Sequence, residues 1–123
     1  MASLLRVRPR HCDAQAMVHA IRYYEFFEDA MLDWLDERGG YGRLREAGAD
    51  LVIKASGCEH HAPARLDQVL TVETRPARVG TTSITMTFTL RHEDELVAVG
   101  TLVYVCVRDG GPVPLPAMLT APA

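Results

Sequence analysis

A single carboxylate, Asp13, precedes a strongly amphipathic segment by about seven residues. The first turn of a helix carries N–H groups without intrahelical partners, and such groups can bind an oxyanion. A carboxylate beside a helix start can attack an acyl carbon or activate water. The pattern is therefore compatible with acyl chemistry, with Asp13 as nucleophile or general base. The same residue could instead be a helix N-cap or a surface charge.

Other side chains with the right chemistry lie nearby in sequence or at a predicted strand end. His19 is an alternative base, because a free imidazole titrates near neutrality. Glu59 is a second carboxylate candidate, and His60 and His61 follow it directly. Each of these residues also has an ordinary interpretation as a solvated or packed side chain. No Gly-rich phosphate loop, metal-ligand spacing or Gly-x-Ser-x-Gly motif is present in the sequence.

Length and composition indicate one globular domain over residues 1–123. Hydrophobic residues make up 48% of the chain and charged residues 24%, as in ordinary soluble proteins. The net charge of −3 argues against a nucleic-acid-binding surface, which needs clustered basic residues. The longest uncharged apolar run, residues 96–107, is too short for a membrane helix and is rich in Val, so it predicts a buried strand.

The cysteines do not suggest a disulfide framework or a zinc site. Cys12, Cys58 and Cys106 are odd in number and widely spaced. Free thiols suit a reducing compartment, and the N-terminal apolar stretch is too short for a signal peptide. We therefore expect a cytoplasmic protein without a metal or redox cofactor.

Hydrophobic periodicity predicts one strand, one long helix and then four strands. The helix is expected from about Ala20 to Arg38, because aromatic and aliphatic residues recur there every three or four positions. Gly39 and Gly40 should end it. The strands are expected at residues 4–9, 51–60, 67–78, 83–91 and 96–107, with the last three in an antiparallel meander. Residues 41–47 could form a short helix or a turn, and the Pro-rich tail should be irregular. This order predicts an α+β domain of two layers.

The chain resembles the hotdog-fold thioesterases, specifically the 4-hydroxybenzoyl-CoA and YbgC-like acyl-CoA thioesterase group. The resemblance rests on Asp13-x-x-Ala16-x-Val18, followed by Tyr23, Phe27 and Glu28 on the helix. A second matching element is the segment from His60 to Asp67, with its Pro-Ala-Arg core. The family usually has Gly where this chain has Ala16, a residue that cannot adopt a positive φ without strain.

The resemblance implies a hotdog fold, in which an antiparallel β-sheet wraps a long central helix. It also implies Asp13 as the catalytic carboxylate and the backbone N–H of Ala20 as the oxyanion donor. Substrate-binding candidates are His19, Tyr23, Glu59, His60, Arg65, Arg78 and Ser83. Among the arginines, Arg65, Arg78 and Arg91 could meet the phosphates of coenzyme A.

Acyl-CoA hydrolysis is accordingly the expected activity, in a homodimer or homotetramer with sites at subunit interfaces. The resemblance implies no membrane or nucleic-acid partner. One alternative is release of an acyl or polyketide chain from acyl carrier protein. Another is a non-catalytic hotdog protein that binds an acyl ligand, and Ala16 in place of Gly is its main support.

Overall fold

An antiparallel sheet packs against one long helix in the computed structural model, which describes residues 1–120. The strands are β1 (Ala2–Arg6), β2 (Asp50–His60), β3 (Val69–Val79), β4 (Ser83–His92), β5 (Glu95–Arg108) and β6 (Gly111–Pro112). The helices are α1 (Arg22–Asp36), α2 (Gly40–Glu46) and α3 (Ala117–Thr120), with a 3-10 turn at Pro9–His11. The sheet order is β1-β3-β4-β5-β2, and β6 pairs with β5. This arrangement confirms the predicted hotdog architecture.

The apolar stripe of α1 forms the centre of the core. Phe27 is fully buried, and Trp34 is 2% exposed. The guanidinium of Arg38 lies 3.7 Å from the centroid of the Trp34 ring and also hydrogen-bonds the Trp34 carbonyl. Gly39 and Gly40 follow with φ angles of 108° and 84°, so the predicted glycine stop is confirmed. The predicted helix was two residues too long at each end.

The β3-β4-β5 meander confirms the alternation read from the sequence. All pairings in it are antiparallel, and the inward residues of β4 are fully buried: Ile84, Met86, Phe88 and Leu90. The threonines between them lie on the opposite face and are partly exposed. The pattern of period two therefore determined both the strand and the face that it buries.

Two predictions for the ends of the chain were wrong. The first strand is Ala2–Arg6 rather than residues 4–9, because Pro9 starts the 3-10 turn instead of ending a strand. The tail is not wholly irregular, since it contains β6 and α3. Met118 and Leu119 of α3 are buried, so their burial outweighs the breaking effect of the surrounding prolines. Pro122, which was included in that prediction, lies outside the described residues.

Gly100 sets the spacing between β5 and α1. It pairs with Phe88 of β4, and the Phe27 ring stacks on Phe88 with centroids 5.4 Å apart. A Cβ atom built at Gly100 would overlap the Phe27 ring. The ring therefore lies directly over the backbone of β5, and a side chain at this position would force the layers apart.

We predict that Gly100→Ala lowers the free energy of unfolding by about 1–3 kcal/mol through overpacking against Phe27. Gly57→Ala is the matched control, since Gly57 lies on the neighbouring β2 and a Cβ there meets nothing within 4 Å. The control should change stability by less than about 0.5 kcal/mol. Urea denaturation of both variants tests this, and an unchanged midpoint for Gly100→Ala would contradict it.

Candidate active site

Asp13 lies on a short loop that it stabilises with its own side chain. The loop is closed by an isolated antiparallel bridge between Cys12 and Val18. The carboxylate oxygen Oδ1 of Asp13 accepts hydrogen bonds from the backbone N–H groups of Gln15 (2.8 Å) and Met17 (3.3 Å). Helix α1 begins only at Arg22, so Asp13 is not its N-cap. The carboxylate is held by its own loop and remains exposed to solvent.

Ala16 adopts the left-handed conformation that the family usually assigns to Gly. Its φ angle is 58°, in the region that costs a residue with a Cβ about 1–2 kcal/mol. The loop therefore retains the turn despite the substitution and carries the strain. Because the turn forms with Ala16, the absence of Gly at this position is no argument against a loop that positions Asp13.

The Asp13 loop is joined to the segment that precedes β3. Val18 N–H donates to the Ala64 carbonyl (2.9 Å), and Leu66 N–H donates to the Ala16 carbonyl (3.0 Å). Met17 and Arg65 form a further isolated bridge. The Pro-Ala-Arg motif noted in the sequence thus supplies the backbone partners that fix the loop beside α1.

The backbone N–H of Ala20, unlike those of the adjacent residues, has no hydrogen-bond acceptor within residues 1–120. Each adjacent N–H has an acceptor: Met17 and Val18 as described, His19 with the His11 carbonyl, Ile21 with Nδ1 of His19, and Arg22 with the His19 carbonyl. Among the hydrogen bonds of residues 1–120, none uses the Ala20 N–H. This unpaired donor lies two residues before α1, which is where the resemblance places the oxyanion donor.

Ala20 lines a cavity of about 330 Å³ at the N-terminal end of α1. This cavity is the candidate active site, and we call it the active-site cavity. Its walls come from three segments: Val18, Ala20, Tyr23, His60, His61, Ala62 and Pro63. The Tyr23 and His60 rings meet edge to face, with centroids 4.9 Å apart. Of the predicted site residues, Ala20, Tyr23 and His60 line this cavity, whereas Val18, His61, Ala62 and Pro63 were not among those predicted.

Tyr23 contributes a second hydrogen-bonding group to this cavity. Its hydroxyl oxygen accepts the Ala64 N–H at 3.3 Å. Burial raises the pKa of Tyr23, so the phenol is neutral and keeps its proton. That proton can be donated to a ligand oxygen, because the Ala64 bond uses only a lone pair.

The remaining predicted site residues lie outside the lining of this cavity. Asp13 lies on the loop whose base, Val18, forms part of the wall. Glu59 is exposed and faces His61 at 3.6 Å, and the Arg65 N–H donates to the Gln68 side chain. His19 lines a different cavity.

Arg78 and Ser83 are far from this site within one chain. Arg78 is nine residues beyond Val69 on β3, about 30 Å along an extended strand, and Ser83 begins β4 after the turn.

Two general features of residues 1–120 bear on the chemistry. No group of three or more His, Cys, Asp or Glu residues in this range could hold a metal ion. In the same range, no helix is long and apolar enough to cross a membrane.

We predict that Ala16→Gly raises the free energy of unfolding by about 0.5–1 kcal/mol. Relief of left-handed strain, about 1–2 kcal/mol, exceeds the entropic cost of the added chain freedom, about 0.4–1 kcal/mol. The control is Ala14→Gly in the same loop, where φ is not positive and the substitution should only destabilise. Thermal and urea unfolding would contradict the prediction if both variants changed stability equally.

Comparison with known proteins agrees with the fold. The model of the Thioesterase-like superfamily matches residues 7–122. The long-chain acyl-CoA thioesterase FadM of Escherichia coli (strain K12) is 26% identical over 109 residues, covering 87% of this chain and 83% of that protein.

Solved structures show the same architecture. A hypothetical protein from Aquifex aeolicus is 26% identical with a TM-score of 0.92, over 98% of this chain and 96% of that one. A 1,4-dihydroxy-2-naphthoyl-CoA thioesterase from Synechocystis is 16% identical with a TM-score of 0.84, over 97% and 91% of the two chains, which shows the fold alone. With nearly its whole length matched by the family model, this chain belongs to the thioesterase-like superfamily and is a thioester hydrolase with the hotdog fold.

Proposed function

We propose that this enzyme hydrolyses an acyl-CoA to a free acid and coenzyme A. The observation that supports this best is the unpaired Ala20 N–H on the wall of the active-site cavity. A thioester carbonyl oxygen placed there would receive a hydrogen bond at the start of α1. Preorganised donors of this kind stabilise the negative charge that develops on the oxygen as the carbonyl carbon is attacked.

Tyr23 would provide a second donor to the same oxygen or to the neighbouring acyl group. Its proton is free, and its ring forms part of the cavity wall. The neutral phenol is preferable to a phenolate here, because a negative charge would repel the developing oxyanion. Tyr23 and Ala20 together would orient the carbonyl, so that attack comes from a defined side.

Asp13 would supply the attacking group. It is the only acidic residue between β1 and α1, and two backbone N–H groups hold one of its oxygens. The second oxygen would either attack the carbonyl carbon or take a proton from the attacking water. The C–S bond then breaks, and the coenzyme A thiolate leaves and is protonated by solvent. In the covalent route, water hydrolyses the resulting anhydride.

The acyl group would extend along α1 into an apolar groove of about 310 Å³. This groove, the α1–β2 groove, is lined by Met31, Leu32, Leu35, Val52 and Ile53, among others. Met31 is eight residues beyond Tyr23, or about 12 Å along the helix. That separation suits a chain of several methylene groups or an aromatic acyl group, and FadM is a long-chain acyl-CoA thioesterase.

We predict that Asp13→Asn lowers turnover of the best acyl-CoA substrate by at least about 10²-fold. Asn keeps an oxygen that can accept the loop hydrogen bonds, so the fold should persist while the negative charge is lost. Steady-state kinetics with detection of the free thiol would measure the effect. Asp29→Asn on the exposed surface of α1 is the control and should retain turnover.

The turnover of Asp13→Asn could instead stay within about threefold of the parent, far from the expected loss of about 10²-fold. That result would show that Asp13 only stabilises its loop. Glu59 and His19 would then be the next residues to replace. Circular dichroism of each variant would establish that the fold is intact, so that a loss of rate is not confused with unfolding.

We further propose that the enzyme is at least a dimer, assembled through β2. This eleven-residue strand forms one edge of the sheet and exposes Val52 (47%) and Ile53 (52%). A long edge strand presents unpaired backbone N–H and C=O groups and is a template for pairing with another strand. A second copy paired there would also close the open side of the α1–β2 groove.

We predict a solution mass of at least twice the 13.6 kDa of one chain. Ile53→Lys should shift the protein towards monomer, because a charge on an edge strand opposes pairing. Leu4→Lys, on the opposite edge strand β1 at a position 75% exposed, is the control and should leave the mass unchanged. Light scattering at micromolar concentration tests this, and a monomeric parent would contradict it.

A further inference from the structure

The wall of the active-site cavity contains two side chains that can accept a proton, His60 and His61. Among the other lining residues, Tyr23 keeps its phenolic proton because burial raises its pKa, and the rest have aliphatic side chains. A side-chain base on the wall of this cavity is therefore a histidine. The two histidines differ in their surroundings, and the difference indicates which of them can act on a bound ligand.

His60 lies on the face of β2 that is turned towards α1. It pairs with Ala98 of β5, which is fully buried, and directly opposite residues of an antiparallel pair project from the same face of the sheet. The His60 ring meets the Tyr23 ring edge to face, with centroids 4.9 Å apart. Tyr23 lies three residues after Ala20 in the chain, and both line the same cavity. The imidazole is thus held against the part of the wall that contains the oxyanion donor.

The nitrogens of His60 are available to a ligand or to water. Within residues 1–120, no side-chain hydrogen bond or ion pair involves this ring. A neutral imidazole carries its proton on one nitrogen and accepts a hydrogen bond at the other. An imidazole takes up and releases a proton readily near neutral pH, which suits a general base. The residue is exposed, so water can reach the accepting nitrogen.

His61 has partners of its own and holds the end of β2 in place. Its Nε2 atom lies 3.6 Å from Oε2 of Glu59. Its backbone N–H donates to the Val97 carbonyl at 2.8 Å, and the Ala62 N–H donates to the same oxygen at 3.1 Å. These contacts fix the backbone directly after His60, so that they help to orient the neighbouring imidazole.

A second base is required if Asp13 acts as a nucleophile. Once one of its oxygens has formed the anhydride, Asp13 no longer carries the negative charge that could activate water. Another group must then take the proton of the water that completes the hydrolysis. The cavity of about 330 Å³ has room for the acyl carbonyl and for a water molecule, which occupies about 30 Å³ in the liquid.

We infer that the reaction passes through an anhydride on Asp13 and that His60 is the general base for its hydrolysis. Water transfers a proton to the free nitrogen of His60, and the water oxygen bonds to the acyl carbon. The bond between this carbon and the Asp13 oxygen breaks, and its electron pair restores the Asp13 carboxylate. The carboxylic acid leaves, and His60 releases the proton to solvent. This inference rests on the proposed function, because it takes Asp13 to be the attacking group.

The experiment is a stopped-flow measurement of thiol release by His60→Gln, with enzyme and acyl-CoA at similar concentrations. The first step needs only Asp13, so one thiol per active site should appear at a rate within about threefold of the parent. The anhydride should then accumulate, because its hydrolysis lacks a base. The steady rate that follows this burst should be at least about 10²-fold lower than that of the parent.

Hydroxylamine tests whether the slow step is the hydrolysis of the anhydride. It attacks an anhydride without help from a base and forms an acyl hydroxamate. Hydroxylamine should therefore raise the steady rate of His60→Gln towards that of the parent and yield the hydroxamate. Asp13→Asn forms no anhydride, so this variant measures the direct reaction of hydroxylamine with the thioester.

His92→Gln is the matched control. His92 is the last residue of β4 and lines neither the active-site cavity nor the α1–β2 groove. This variant loses an imidazole as well and should keep the steady rate of the parent. Because His60 is exposed, His60→Gln should fold, and circular dichroism checks this. His60→Asn should show the same burst and the same response to hydroxylamine.

Two results would overturn the inference. One is a steady rate of His60→Gln within about threefold of the parent, since a missing base costs far more. The other is a slow rate without a burst that hydroxylamine does not raise, because His60 would then be needed before an anhydride forms.

The same measurements separate this inference from the proposed function. A parent that releases no thiol from any acyl-CoA would refute acyl-CoA hydrolysis, and the inference would fall with it. A parent that hydrolyses acyl-CoA, loses turnover in Asp13→Asn and keeps it in His60→Gln would retain the proposed function and refute the inference alone.

Discussion

The junction between the Asp13 loop and the segment before β3 determines the site more than any other contact. Two backbone hydrogen bonds link the two segments, from Val18 N–H to the Ala64 carbonyl and from Leu66 N–H to the Ala16 carbonyl. The Tyr23 hydroxyl binds Ala64 as well, so α1 is tied to the same segment. These bonds join parts of the chain that are more than forty residues apart. They place a carboxylate loop, a helix start and a strand end around one cavity.

Much of the fold could be predicted from the sequence, because it follows from patterns along the chain. The stripe of α1 and the strict alternation of β4 each report which face is buried, and burial dominates the stability of both elements. The first residue of α1 was harder to predict. Residues 19–21 have helical composition, but the His19 carbonyl and ring accept the next N–H groups in a turn instead.

The site could be predicted only in part, and the reason differs by residue. Ala20 was reached through a family resemblance, since an unpaired backbone N–H leaves no mark on side-chain identity. Tyr23 and His60 were candidates from the same resemblance, and only the fold brings their rings together.

The contact between Phe27 and Gly100 has a consequence for binding. The Phe27 ring packs directly on the backbone of Gly100. No space remains for α1 to move closer to β5, and no flexible side chain lies between them. Helix α1 is thereby held at a fixed distance from β5, one turn beyond Tyr23, which lines the active-site cavity. A wall anchored in this way does not need to be reshaped when a ligand arrives, so little free energy is lost to ordering it. A rigid contact in the core thus lowers the free-energy cost of binding at the surface.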